Sequence, residues 1–249
     1  MSRQIWRAGT LLSPVPPALV TCGGGELPEN VLTVAWTGIL NSDPAKTYVS
    51  VRPSRYSHDL IKQSGEFVIN ITPSKLVRAA DKAGVITGKD IDKFEECGLR
   101  KTPSVSVACP TLADCPLALE CKVTDVVSLG THDMFVADIV AVTVDDSVID
   151  EGGKLRIEKA GLMAYAHGTY FELGKKIGTF GFSVRKKKKV PPEWAMDILA
   201  RHPELNAENV RTIVQDEIGH VFAEVLADAG VYKMDTAGRA GFERFLASI

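Results

Sequence analysis

The most informative chemistry in this sequence sits in the stretch Asn30–Asn70, NVLTVAWTGILNSDPAKTYVSVRPSRYSHDLIKQSGEFVIN. A strand carrying small polar side chains and Trp36 leads through an Asp-Pro turn to Ser50-Val51-Arg52-Pro53-Ser54-Arg55-Tyr56-Ser57. The end of that second strand gathers two guanidinium groups and several hydroxyls just before a predicted helix N-terminus. Each element favours a phosphate: arginine through charge-assisted bidentate bonds, serine through its O–H, and the helix end through free N–H groups. The same residues also fit a plainer account, with Ser54 or Ser57 as a helix N-cap and both arginines on the surface. No catalytic triad or pair of carboxylates is evident.

Other motifs carry less. Gly23-Gly24-Gly25 lacks the spacing and the following helix of a dinucleotide fingerprint. Gly84-Val85-Ile86-Thr87-Gly88-Lys89-Asp90 has three residues between its glycines where a phosphate loop needs four, and Asp90 replaces the magnesium-binding hydroxyl. Cys109, Cys115 and Cys121 are six apart, which matches no zinc or redox spacing, and Cys121 reads as a small buried residue. No metal site is expected. Asn70-Ile71-Thr72 is a glycosylation triplet inside a predicted strand, where a structural asparagine is the simpler reading.

The elements that must position the phosphate cluster follow from periodicity. Val31–Ile39, Thr47–Arg52, Glu66–Ile71, Ser104–Ala108, Leu117–Ser128 and Met134–Val144 read as strands, with a helix over Tyr56–Ser64 ended by Gly65. Pro73–Cys97 reads as helical, punctuated by Gly84 and Gly88. Six or so strands with few helices between the later ones predict an antiparallel barrel, not a doubly wound sheet.

After Pro191-Pro192 the pattern changes. Asn206 can cap a helix whose apolar residues Val210, Ile213, Val214, Ile218, Val221, Phe222, Val225 and Leu226 recur at three-and-four spacing. Residues 190–249 carry 5 Lys+Arg against 10 Asp+Glu, a net of −5, whereas residues 1–189 carry 24 against 21, a net of +3. The division therefore predicts a barrel domain over 1–185 and, over 186–249, a basic linker followed by an acidic α-helical extension. The lysines Lys186–Lys189 read as solvated linker, since no basic surface with interleaved aromatics extends them.

Across its 249 residues the chain is 45% hydrophobic and 24% charged, a composition that excludes disorder, collagen and coiled coil. No window of 18 apolar residues exists and Pro14, Pro16 and Pro17 break the N-terminal apolar stretch, so neither a membrane span nor a secretory signal is expected. Five cysteines, an odd count, fit reduced thiols in a cytoplasmic protein. Neither nucleic acid nor membrane is an expected partner.

In order and spacing, Ser13-Pro14-Val15-Pro16, the Asn30–Trp36 strand, Ser50–Ser57, Gly65–Asn70, Leu119-Glu120-Cys121 and Gly130–Val136 resemble the flavin reductase-like proteins of the FMN-binding split-barrel fold. Within them the likeness is to the flavoredoxin-type branch, over roughly residues 8 to 180. The resemblance implies a mainly β split barrel with helical inserts, a homodimer, and non-covalent FMN near the subunit interface. It implies electrons taken from NAD(P)H or from a protein donor, with a redox protein as a further partner.

Carried onto this chain, the resemblance lays Thr33, Ala35, Trp36 and Thr37 along the flavin ring. Arg52, Ser54, Arg55 and Ser57 would hold the phosphate and ribityl chain, and Lys93 would reach the flavin from the helical insert. His132 would contact flavin or nicotinamide as the catalytic residue, a cation there stabilising anionic reduced flavin. Tyr165 would lie near the ring. Plainer roles are Trp36 in the core, His132 in a turn, Lys93 in solvent and Tyr165 as structure. The expected function is an FMN-dependent oxidoreductase with an unidentified acceptor. The competing reading is an FMN-binding electron carrier or sensor without NAD(P)H turnover, its tail a docking module. The extension after Pro191 has no counterpart in the minimal reductase domain.

Overall fold

The computed structural model describes residues 2–184, and the first compact unit of the chain ends at Ile177. The basic run Arg185–Lys189 and the helices expected after Pro191 lie outside the described residues.

The fold opens with an antiparallel hairpin of β1 (Ala18–Gly24) and β2 (Leu27–Val34). Gly23 and Gly24 end β1, and Gly25 and Glu26 make the turn. Gly24 has φ +92° and a Cβ there would stand 2.3 Å from the Ala108 carbonyl oxygen, so only glycine fits. After Ala35 and Trp36 comes a second hairpin, β3 (Thr37–Ser42) and β4 (Ala45–Val51), then α1 (Tyr56–Ser64) and β5 (Glu66–Ile71). Gly65 ends α1 at φ 67°, its N–H bonded to the Ile61 carbonyl, as the sequence predicts. Next are α2 (Val77–Val85), α3 (Lys93–Cys97) and the short β6 (Lys101–Thr102) and β7 (Thr111–Leu112). A long hairpin of β8 (Leu117–Ser128) and β9 (Asp133–Val144) and a short one of β10 (Met163–Ala166) and β11 (Thr169–Glu172) complete it.

Seven strands form one sheet in the order β2-β1-β5-β8-β9-β4-β3, and every pairing in it is antiparallel. Its two edge strands, β2 and β3, are consecutive in the chain and joined by Ala35 and Trp36 alone. Three Cα steps span at most about 11 Å, so the edges must come together and the sheet must curl into a barrel. The barrel is mainly β with helical inserts, as expected from the strand pattern.

Two expectations are corrected. Val31–Ile39 is not one strand: it breaks at Ala35–Trp36, where the chain leaves the β1 side of the sheet and joins the β4 side. Ser104–Ala108 is not a strand at all. The fully buried Glu120 carboxylate accepts the N–H groups of Val105 (2.9 Å) and Ser106 (2.6 Å), and Glu66 accepts that of Ala108 (2.8 Å). With those donors taken by carboxylates, the segment cannot build a ladder.

Val20, Cys22, Leu32, Val34, Val49, Val51, Phe67, Ile69, Cys121 and Phe135 fill the barrel, and Leu60 and Ile61 of α1 pack with them. A second cluster lies on the other face of β1 and β2, where Leu19 and Val31 meet Ala80 and Ala83 of α2 and Phe94 of α3. β1 is therefore covered on both sides, and all seven of its residues are buried. Cys22, Cys109, Cys115 and Cys121 are free and buried. Burial is the largest cause of their raised pKa, and pushes Cys22, Cys115 and Cys121 up to about 12.

Phe135 is fully buried at the barrel centre. Phe135→Ala is expected to cost about 3–5 kcal/mol in urea unfolding; a loss under about 1 kcal/mol would show that the ring is not part of the core.

Candidate functional site

The exit of β4 and the start of α1 place the arginines and serines. The polar run Arg52, Pro53, Ser54 and Arg55 is exposed, and Arg55 is the N-cap residue of α1. No side chain caps this helix, so neither Ser54 nor Ser57 acts as the N-cap. Ser57 instead is buried, and its Oγ accepts a 2.7 Å bond from Asn30 Nδ2 on β2. Asn30 is buried as well, wedged beneath Gly88: a Cβ on Gly88 would stand 2.1 Å from Asn30 Oδ1.

These residues line a cavity of about 90 Å³. Asn30, Thr33, Ser54, Arg55 and Ser57 form one side, the Gly84–Gly88 turn another, and Lys93 also lines it. The turn that fails as a phosphate loop in the sequence thus faces the arginine-serine cluster in space. Lys93 is not in solvent. It is buried, and its Nζ donates to the carbonyls of Val31 (2.8 Å) and Ala83 (2.7 Å). Burial lowers its pKa from 10.5 to about 8; the charges of Cys97 and Cys22 oppose the shift and Arg55 adds to it. Both carbonyls favour the ammonium, which leaves a positive charge against the cavity at neutral pH. The cavity, an uncapped helix N-terminus and two cations suit a phosphate monoester.

A second group lies at the seam between β2 and β3. The rings of Trp36 and His132 are parallel, 1° apart in plane with centroids at 6.4 Å. Trp36 is 45% exposed, so it is not a core residue. His132, on the turn between β8 and β9, is held below its ordinary pKa by burial first and by the Arg52 charge second. That shift favours neutral imidazole, so Arg52 and not His132 supplies the cation at this end. Thr33 and Thr37 have their hydroxyls engaged by the carbonyls of Ala80 and Tyr48, the latter at 2.6 Å. Their hydroxyl oxygens can still accept, but any donor they offer is a backbone N–H, as for Ala35 between the two strands.

Arg52 connects the two groups, since it precedes the Ser54–Ser57 run and its charge acts on His132. Tyr165 stands elsewhere in the described contacts. It bonds through its backbone to Val15, and its ring tilts against Tyr170 at 5.1 Å. Asn30 and His58 escaped the sequence reading, and the Gly84–Gly88 segment was weighed there as a phosphate loop and set aside. The one available signal was the near-miss glycine spacing. A larger cavity of about 260 Å³ lies where β5 ends and β8 begins, among Ser74, Lys75, Asp114, Asp145 and Lys159, and holds none of the expected site residues. Among the described residues no cluster of His, Cys, Asp or Glu could hold a metal, and no helix is long and apolar enough to cross a membrane.

A split barrel with a phosphate-sized cavity and an aromatic pair at its seam defines a flavin-handling class. The chain belongs to the flavin reductase like domain family, which its residues 11–174 match. Its fold is that of flavoredoxin of Desulfovibrio vulgaris (Miyazaki F), with a TM-score of 0.69 and 30% identity, over 74% of this chain and 100% of that one. This places it in the flavoredoxin-type branch. An uncharacterized protein of Archaeoglobus fulgidus is 36% identical over 148 residues, 59% of this chain and 82% of its own length. A 56-residue stretch is 52% identical to galactose-1-phosphate uridylyltransferase of Ligilactobacillus salivarius, which is 22% of this chain and 11% of that enzyme. So small a share is a shared segment, not a shared enzyme.

Lys93 gives a direct test. NMR of the ε-¹³C lysine resonances is expected to show one amine titrating near pH 8. The unfolded chain keeps this proton to about 10.5, so the folded state binds fewer protons between those values and stability rises with pH across that window. A midpoint at 10 or above would place the amine in solvent.

Proposed function

We propose that this protein is an FMN-dependent oxidoreductase that passes electrons from NAD(P)H, or from a protein donor, to a second acceptor. The convergence of Arg55, Ser57, Lys93 and the α1 N-terminus on one small cavity carries the reading. A cavity of about 90 Å³ suits a terminal phosphate such as FMN carries. Ligand pockets usually enclose at least roughly 300 Å³, so the ring must lie outside this cavity, toward Trp36 and His132.

Bound flavin would supply the redox chemistry, accepting a hydride or single electrons. The chain's residues bind and orient. Arg55, Lys93 and Ser57 hold the phosphate, with Ser57 fixed by Asn30. The backbone of Thr33–Thr37 offers donors and acceptors to the ring edge, and Trp36 packs against it. Arg52 places a positive charge where reduced flavin carries negative charge. His132, held toward its neutral form, can donate or accept a hydrogen bond at the nicotinamide face. Trp36 is 45% exposed, and a second copy of the chain covering that region would give a homodimer as the working form.

The purified protein is expected to be yellow, or to become so with FMN, and to bleach under NADH or NADPH without oxygen. A protein that cannot be loaded with FMN would overturn the reading. Bound flavin that stays oxidised with both nucleotides would favour the electron-carrier alternative. Arg55→Ala is expected to weaken FMN binding about tenfold or more in a fluorescence titration, since a charge-assisted bond contributes roughly 1.5–3 kcal/mol. Unchanged affinity would remove the phosphate assignment.

A further inference from the structure

Of the three histidines in the described residues, only His58 is buried. It lies in the first turn of α1, next to Ser57, with its ring edge-on to Phe135 at 5.3 Å and 65°. Its Nε2 is 2.9 Å from Asp133 Oδ2 and its Nδ1 is 3.0 Å from Asp59 Oδ1. Carboxylates only accept, so both bonds exist together when each ring nitrogen carries a proton. The two partners differ. The Asp133 side chain is 15% exposed and that of Asp59 is 70% exposed, so the bond to Asp133 is the one shielded from water. Hydrogen bonds from His58 and then Ser128 hold the Asp133 carboxyl below the ordinary carboxylate range.

Asp133 occupies a junction. It opens β9 directly after His132, and in the ladder it faces Val51, the residue before Arg52. It also pairs with Ser128 at the end of β8. The hairpin tip that carries His132 is otherwise closed only by local bonds among the described residues. These are the Leu129 N–H to the His132 carbonyl at 2.8 Å and a 3.0 Å contact from Thr131 Oγ1 to His132 Nδ1.

We infer that His58 is a positioning residue which, through Asp133, fixes the ring end of the site (His132 and Arg52) relative to the phosphate end on α1. The inference rests on the flavin reading given above. It assigns His58 no contact with flavin. The strap sets the register between two groups that must grip one ligand, so its loss misplaces His132 while the barrel persists.

Two amide replacements separate this role from packing against Phe135. In His58→Gln the side-chain amide reaches the place of Nε2 and keeps a donor to Asp133, whereas in His58→Asn it reaches only toward Asp59. Two readouts are taken: the FMN dissociation constant by fluorescence quenching, and the His132 ring resonances in flavin-free protein by ¹⁵N NMR. His58→Gln is expected to stay within about threefold of the parent affinity, with the His132 signals in place. His58→Asn is expected to lose at least about tenfold and to move those signals, the scale of one charge-assisted bond. Should His58→Asn fail to fold, Asp133→Ala makes the same comparison, because it removes the acceptor that faces His58 Nε2. Equal effects of the Gln and Asn replacements on both readouts would overturn the inference. If the parent protein binds no flavin, the flavin reading falls, and the His132 resonances alone decide the strap: moved by Asn and kept by Gln supports it, moved alike or not at all overturns it.

Discussion

Two residues connect the opposite edges of a seven-stranded sheet, and that short link governs the rest of the molecule. Because Ala35 and Trp36 must bring β2 and β3 together, the sheet cannot lie open. Closure leaves a seam at which the hairpin β1–β2 and the strand β4 meet without a regular ladder. The carbonyl of Trp36 accepts from Ser50 N–H at 2.9 Å, which ties the seam to the strand that ends at Arg52. Exposed backbone and an exposed aromatic ring are liabilities in a core but assets beside a planar ligand. The seam is where this fold can hold one.

The same closure orders the charges. α1 contributes Leu60 and Ile61 to the barrel core, and this anchors its N-terminal end beside β2 and the Gly84–Gly88 turn. Lys93 is held by two carbonyls from separate elements, Val31 on β2 and Ala83 on α2. An ammonium in such a place is costly to bury, and a phosphate would offset that cost. Lys93 is therefore held in place before any ligand arrives, which would reduce the ordering needed on binding.

What could be read from the sequence was local. The helix Tyr56–Ser64, its closing Gly65, the strand Glu66–Ile71 and the strand Leu117–Ser128 match the expected bounds, because each is marked by its own periodicity and its own terminator. The break in Val31–Ile39 was invisible, since nothing in VLTVAWTGI says that its two halves pair with different neighbours. Ser104–Ala108 looks like a strand and is not one, because Glu120 and Glu66 claim its N–H groups from afar. The arginine-serine cluster was legible as chemistry. The burial of Lys93, the Asn30 bond to Ser57 and the His58 strap were not, because each is a contact between residues distant in sequence. The isolated reading of Gly84–Asp90 failed for the same reason: its spacing was compared with a known loop, when its position over the cavity is set by Gly88 resting on Asn30.

The four buried thiols have a bearing on the chemistry proposed. Reduced flavin open to air yields peroxide, which attacks thiolates and largely spares protonated thiols. Cys22, Cys109, Cys115 and Cys121 are kept protonated by the apolar packing around them, and Cys97 is shifted in the same direction. Close packing would thus also serve as chemical armour against the peroxide that the proposed chemistry makes in air.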